Sequence, residues 1–456
     1  MSTLDEDQTL LPPRDLALMV DLYELAMAQA YWKTDMGERA TFSLFFRNMP
    51  DHRNIVLACG QQNFCRLITS LCFTSEQLKK LESFGMFEQK FLDWLADFRF
   101  SGDIWALPEG TPVFPQEPLL EVQAPVAEAQ ILESLAMNYV HLETVIASKA
   151  LRLVQVSGGK PVVDFGMRRM HGIDAAYRGV RAYRIAGISG TSNVQAGKDF
   201  ALSVQGTMAH SFVQAHDDEM DAFKTYARLY PDTILLVDTY DTVAAVKKII
   251  AWLKANPDIS IGAIRLDSGD MAELATECRR LFDEAEYTKI KVLASSGLDE
   301  HSIQELVRNN VPIDGFGVGT AIGSAKDSPN VELAYKLTEY AGKPRMKNSP
   351  GKQSWPAAKQ VFRQSDSDGN YTGDILAARD ESQQGEALLV QTLRDGELVD
   401  GAIRPLADIC EYSQSAVAKL PPELRAIDRD ADYPVTISDH LKAIQKKTLE
   451  AIKGTD

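Results

Sequence analysis

The stretch Val204–Ala215, Val-Gln-Gly-Thr-Met-Ala-His-Ser-Phe-Val-Gln-Ala, sets one histidine among small and hydroxylated residues, directly after the apolar run Phe200–Val204. Neutral imidazole is nucleophilic near pH 7, so His210 in such a turn can accept a transferred group or carry a proton. Gly206 would let the backbone turn tightly or approach a ligand. A lone loop histidine is ordinarily just polar, so its neighbours must decide.

Those neighbours recur in a pattern. Short apolar runs at Pro161–Phe165, Ala182–Gly187, Phe200–Val204, Thr233–Val237, Ile261–Leu266, Ile290–Ala294 and Ile313–Val318 are each followed by polar, often glycine-containing sequence. The followers are Asp164–Arg169, Gly190–Asn193, Gly206–Ser211, Asp238–Asp241, Arg265–Asp270, Ser295–Gly297 and Gly317–Thr320. Arginines suit anions and planar carboxylates. Glycine-rich amides ahead of a helix suit phosphate. Asp238, Asp241 and Asp267 suit Mg²⁺ or sugar hydroxyls. Each piece also has a bland reading: Asp270 with Glu273 as a helix cap, Arg168 and Arg169 as a solvated pair, Gly317–Thr320 as a plain turn. Together they indicate an enzyme that handles phosphate.

The elements that must position these groups follow from periodicity. Residues 1–13 read as a flexible leader, and 14–160 as an α+β domain. That domain has helices at Arg14–Trp32, Cys59–Thr69, Ser75–Phe98 and Ala127–Val154, a strand at Ala40–Arg47, and short strands within Ile104–Val122. Residues 161–330 alternate apolar runs with helical faces such as Val243, Val246, Ile249, Ile250 and Leu253. Such alternation implies parallel strands with crossover helices, an irregular α/β barrel whose active site forms at the C-terminal strand ends. Residues 331–456 read as a small module with strands at Lys336–Tyr340, Pro344–Lys347 and Lys359–Arg363, a turn at Asp368-Gly369, and a basic helix at Ser438–Lys453.

Composition narrows the class. A formal charge of -16 argues against a nucleic-acid partner, because the field would repel a phosphate backbone. Five cysteines, an odd number without a C-x-x-C pair, indicate neither a disulfide framework nor zinc. No apolar run reaches the ~18 residues of a membrane span. The acidic N-terminus lacks the parts of a signal peptide, so the expectation is a cytoplasmic protein.

From Asp21-Leu22-Tyr23 to Lys359-Gln360-Val361-Phe362-Arg363, and through the rim motifs between them, the chain resembles nicotinate phosphoribosyltransferase, a type II phosphoribosyltransferase. No acidic pair leads into the Thr-Gly phosphate loop of the other phosphoribosyltransferase class. The resemblance implies that nicotinate and phosphoribosyl pyrophosphate give nicotinate mononucleotide and pyrophosphate, with ATP as co-substrate and Mg²⁺ as cofactor. It implies phosphorylation of His210 and makes Asp267 a ribose- or substrate-facing carboxylate. Phe165 and Tyr23 would stack on the pyridine, Tyr23 from the second subunit of a homodimer; as a lone aromatic, Tyr23 would otherwise read as core. Arg265 would meet the nicotinate carboxylate, Arg168 the sugar phosphate, and Gly297, Gly319 and Thr320 the 5′-phosphate. Asp238 and Asp241 remain alternatives for metal or ribose. Ser192 stands where the related nicotinamide enzyme has an aspartate; a hydroxyl can donate to a carboxylate that an aspartate would repel. Nicotinamide and quinolinate phosphoribosyltransferases and a catalytically silent barrel are the competing readings.

Overall fold

The computed structural model describes residues 16–349 and 353–454; the proposed 1–13 leader lies outside them. The chain forms two compact units. One is built from the segments Met1–Ser148 and Ser328–Asp456, the other from Lys149–Asp327.

The second unit holds a seven-stranded sheet in which every neighbouring pair is parallel. Its order is Ser203–Val204, Gly190–Thr191, Val162–Asp164, Gly315–Val318, Lys291–Ser295, Ala263–Leu266, Ile234–Leu236. The two edge strands are not paired with each other, so the barrel is open. The expected strand at Ala182–Gly187 is instead the end of helix Ile173–Ala186. From Ala176 to Ala186 every residue of that helix except Arg184 is buried, and Gly187 ends it at φ 99°. The strand that replaces it, Gly190–Thr191, carries no apolar run. It pairs closely: a Cβ at Gly190 would lie 2.8 Å from the Gln205 side chain.

Crossover helices are started by the rim carboxylates. Asp241 caps Thr242–Ala255 by accepting from the Ala244 amide at 2.8 Å. Asp270 caps Met271–Glu284 through the Ala272 and Glu273 amides. Such caps satisfy otherwise orphaned donors and contribute about 1 kcal/mol each. Between helices lies a buried ion network: Lys149 and Arg152, on helix Glu133–Val156, both pair with Glu300, at the start of helix Glu300–Arg308.

In the other unit, N- and C-terminal segments share one antiparallel sheet, ordered Lys343–Pro344, Leu333–Tyr340, Arg39–Phe46, Pro118–Pro125, Asp103–Ala106, Val390–Arg394, Glu397–Leu398. Phe42 stacks on Tyr335 across this sheet, with ring centroids 4.9 Å apart. A four-stranded sheet carries the buried Arg363–Asp374 pair, made by two parallel hydrogen bonds of 3.0 and 2.6 Å. Asp368-Gly369 forms the turn between strands Lys359–Ser365 and Tyr371–Ala378, with Gly369 at φ 83°. Two expected long helices are broken. Ser75–Phe98 divides into Ser75–Ser83 and Gln89–Ala96 around Gly85, which has φ 66°. Ala127–Val154 divides at Leu132 into Val126–Ile131 and Glu133–Val156. The first helix is Leu22–Lys33 behind Asp21, and the expected start at Arg14 lies outside the described residues. All five cysteines are free, and all but Cys72 are buried.

Candidate active site

The open barrel encloses a cavity of about 440 Å³ whose lining includes Phe165, Thr207, Arg265, Ser295 and Gly317. Barrel interiors are normally filled by side chains; here Ala263, Ala294, Gly315 and Gly317 leave room. Gly317 is required: a Cβ there would sit 2.5 Å from the Phe165 ring. Phe165 leaves the sheet after Asp164, a buried carboxylate that accepts from the Gly166 amide at 2.6 Å and the Thr191 hydroxyl at 2.7 Å. Burial raises the pKa of Asp164, and those two hydrogen bonds oppose the rise.

Arg265 occupies the end of strand Ala263–Leu266 and is held on three sides. Its Nη1 donates to Ser295 Oγ at 3.2 Å and to Asp267 Oδ1 at 3.3 Å, and its Nη2 donates to the Met208 carbonyl at 3.1 Å. Its Nε is buried without a partner among the described residues. Burial pulls the guanidinium pKa down, Asp267 and Asp238 push it back, and Arg168 adds a like charge. Arg168 itself is exposed, on the turn Met167–Arg169.

Asp267 is the hub. It accepts from Ser295 Oγ at 2.5 Å, and its second oxygen lies 3.6 Å from His210 Nε2. His210 opens the short helix His210–Gln214, and its Nδ1 is 3.1 Å from Thr239 Oγ1. Asp238 supports the hub from below: one oxygen accepts from the Asp267 amide at 2.9 Å and from Ser268 Oγ at 2.6 Å. The other Asp238 oxygen, Oδ1, is buried and unpartnered among the described residues. It could contribute one ligand to Mg²⁺, which commonly takes one or two carboxylates together with substrate phosphates. Asp241 spends one of its oxygens on its helix cap. The described residues contain one tight cluster of three metal-ligating side chains, Cys59, Glu109 and Glu143, in the other unit.

The remaining candidates sit on neighbouring strand ends. The Ser192 amide donates to the Asp164 carbonyl at 2.9 Å. Gly297 has φ 61° and follows Ser296 at φ 109°. A non-glycine residue in that region is strained, as residues at ligand-binding turns often are. Gly319 precedes the one-turn helix Thr320–Ser324, and Thr320 is exposed. Gly206 lines the cavity but is not at positive φ, and a Cβ there would meet nothing within 4 Å. The expected tight turn is absent. Tyr23 belongs to the other unit, where it is half-exposed on helix Leu22–Lys33. Sequence reasoning missed Thr239 and Ser295 as individual site residues, although both stand in the rim motifs; a hydroxyl acquires its role from its partners.

Residues 18–141 match the nicotinate phosphoribosyltransferase (NAPRTase) N-terminal domain, and residues 161–365 match the nicotinate phosphoribosyltransferase (NAPRTase) family. A nicotinate phosphoribosyltransferase of Mycobacterium tuberculosis is 44% identical over 93% of this chain and 92% of its own. One from Bacillus subtilis is 35% identical over 96% of each. The crystal structure of human nicotinic acid phosphoribosyltransferase superposes with a TM-score of 0.84 at 25% identity, covering 94% of this chain and 99% of the human one. The chain belongs to the nicotinate phosphoribosyltransferase family.

Proposed function

We propose that this protein is an ATP-coupled nicotinate phosphoribosyltransferase of NAD biosynthesis. It joins nicotinate to phosphoribosyl pyrophosphate, giving nicotinate mononucleotide and pyrophosphate. The observation that carries the reading is Arg265: a guanidinium at the cavity wall, opposite no fixed counter-ion of its own except the shared Asp267, with one buried donor unsatisfied. A planar carboxylate supplies the acceptors that such a fork lacks. Phe165, at the same cavity, offers an apolar face for the pyridine ring.

In the reaction the nicotinate ring nitrogen attacks the anomeric carbon as pyrophosphate leaves. Positive charge that develops on the sugar is stabilised by the Asp267 carboxylate. Mg²⁺ bound to the leaving group would neutralise its charge, with Asp238 Oδ1 the available protein oxygen. Arg168, Gly297, Gly319 and Thr320 would take the phosphates. His210 accepts the γ-phosphoryl group of ATP, and hydrolysis of that phosphohistidine draws an unfavourable equilibrium forward. Asp267 and Thr239 flank its two ring nitrogens, an arrangement that suits a positioned nucleophile. Ser192 favours nicotinate over nicotinamide. In a cytoplasmic homodimer, the exposed Tyr23 of one copy would cover the pyridine in the other.

The test supplies phosphoribosyl pyrophosphate, Mg²⁺ and ATP with nicotinate, nicotinamide or quinolinate in separate reactions. Mononucleotide should form from nicotinate, with ATP consumed alongside. Product from nicotinamide or quinolinate alone, or from none of the three, would overturn the reading.

A further inference from the structure

The opposite ends of the same strands carry a second set of charges. Lys160, Lys289, Lys291 and Asp314 all stand at or just before the N-terminal ends of parallel strands. There they line, with Arg279, a cavity of about 660 Å³. Lys289, Lys291 and Asp314 also line the cavity that reaches Phe165 and Arg265, so the two cavities meet at these residues.

The cations differ in what already occupies them. Arg279 is engaged by Asp283 at 2.7 Å and by the carbonyls of Ile290 and Tyr287. Lys160 has only a 3.5 Å contact to the Val311 carbonyl. Lys289 and Lys291 have no ion-pair partner among the described residues. The Asp314 carboxylate is directed to the Val292 amide at 2.8 Å. Four cations, Lys160, Lys289, Lys291 and Arg279, therefore border one void with two carboxylates, Asp314 and the Arg279-paired Asp283, against them, in a chain whose net charge is -16. Like charges around a concave wall reinforce one another's field and draw in a counter-ion. The volume is in the range of small-ligand sites.

We propose that this basic cavity binds a phosphate chain, inorganic or carried by a nucleotide, and that its occupancy modulates the transferase site. The link is strand Lys291–Ser295, whose first residue lines the basic cavity. Its last residue holds Arg265 and Asp267. A strand of five residues spans only about 13 Å between its terminal Cα atoms, so a shift at Lys291 is delivered to Ser295 through one rigid element. The modulation rests on the transferase reading above, whereas the binding does not.

The experiment uses the full chain and inorganic triphosphate or GTP, with free Mg²⁺ held constant. Acetylation of individual lysines is followed by mass spectrometry, with the exposed Lys79 as reference. At a ligand concentration of about twice Kd, acetylation of Lys289 and Lys291 should fall about threefold while Lys79 is unchanged. Lys160→Gln/Lys289→Gln should abolish the protection of Lys291. Equal protection by both probes assigns recognition to the phosphate chain, and protection by GTP alone assigns it to a nucleotide. No protection by either, or equal protection of Lys79, overturns the site. Mononucleotide formation should respond to triphosphate in the parent protein and lose that response in the variant. An unchanged response in both overturns the modulation even where protection persists. Absence of any turnover would instead count against the transferase reading, since protection is measured without it.

Discussion

The Nδ1 of His210 stands 3.1 Å from the Oγ1 of Thr239, the residue that follows Asp238 at the end of strand Ile234–Leu236. The contact ties a ring at the head of a short helix to the bend between that strand and helix Thr242–Ala255, while Nε2 faces Asp267 at 3.6 Å. Losing a hydrogen bond of this kind costs about 1 kcal/mol, or roughly fivefold in rate if it is made in the transition state. Thr239→Val should therefore slow ATP-stimulated mononucleotide formation about fivefold, and Thr239→Ser should restore it. His210→Ala should abolish ATP hydrolysis and ATP stimulation while leaving slow uncoupled transfer. Wild-type ATP hydrolysis by His210→Ala during turnover would refute the phosphohistidine.

Arg265 is fixed by Ser295, Asp267 and the Met208 carbonyl, so its plane is set before any ligand arrives. Lysine cannot reproduce this fork. Arg265→Lys should raise the KM for nicotinate by about tenfold to a hundredfold, with a smaller effect on the KM for phosphoribosyl pyrophosphate. Equal effects on both constants would mean that Arg265 organises the cavity as a whole. If Tyr23 completes the site of a second copy, mixing inactive Tyr23→Ala and Arg265→Ala subunits should recover activity. Failure despite demonstrated subunit exchange would place the site within one chain.

Much of this arrangement was legible because strand and helix alternate with different apolar periods. Six of the seven expected barrel strands lie at or within their apolar runs, and the polar residues after them gather at one end of the sheet. The exception is instructive. Gly190–Thr191 qualifies as a strand by its backbone pairing to Val163, Asp164, Ser203 and Val204, which no local hydrophobic pattern records. Asp270 caps a helix, as its spacing to Glu273 suggests, and Asp241 caps another, a bond that no spacing in the letters marks. The pairing of Arg39–Phe46 with Leu333–Tyr340 joins segments almost 300 residues apart, a relationship invisible to any short window.

Lys149 and Arg152 share Glu300 in a setting where all three side chains are almost completely buried. Removing the carboxylate leaves two cations with their desolvation uncompensated, apart from the Lys149–Asp327 pair at 2.7 Å. Glu300→Leu should cost about 3–5 kcal/mol, read as a lower urea midpoint. A loss near zero would show that water or rearrangement relieves the two cations.

Glu24 provides a pH dependence of known sign. It follows Tyr23 on helix Leu22–Lys33, with its side chain on the buried side, accepting from the Ser134 amide at 3.0 Å and the Ser134 hydroxyl at 2.5 Å, and with its second oxygen unpartnered among the described residues. Burial raises its pKa from 4.5 to about 7, against the lowering effect of the Ser134 hydrogen bonds, and the charge of Glu133 adds to the rise. The folded protein thus binds this proton more tightly than the unfolded chain does. The resulting stabilisation is complete below the unfolded value of about 4.5 and is lost as pH rises through about 7. Thermal unfolding should show Tm falling over that interval, with Glu24→Gln removing this part of the fall because the amide stays neutral. Ser134→Ala should move the transition to higher pH, since it deletes the hydroxyl bond that favours the carboxylate while the amide bond stays. Identical pH profiles for wild type and Glu24→Gln would mean that the carboxylate is already ionised throughout, and that solvent reaches it in spite of its place on the buried side of the helix.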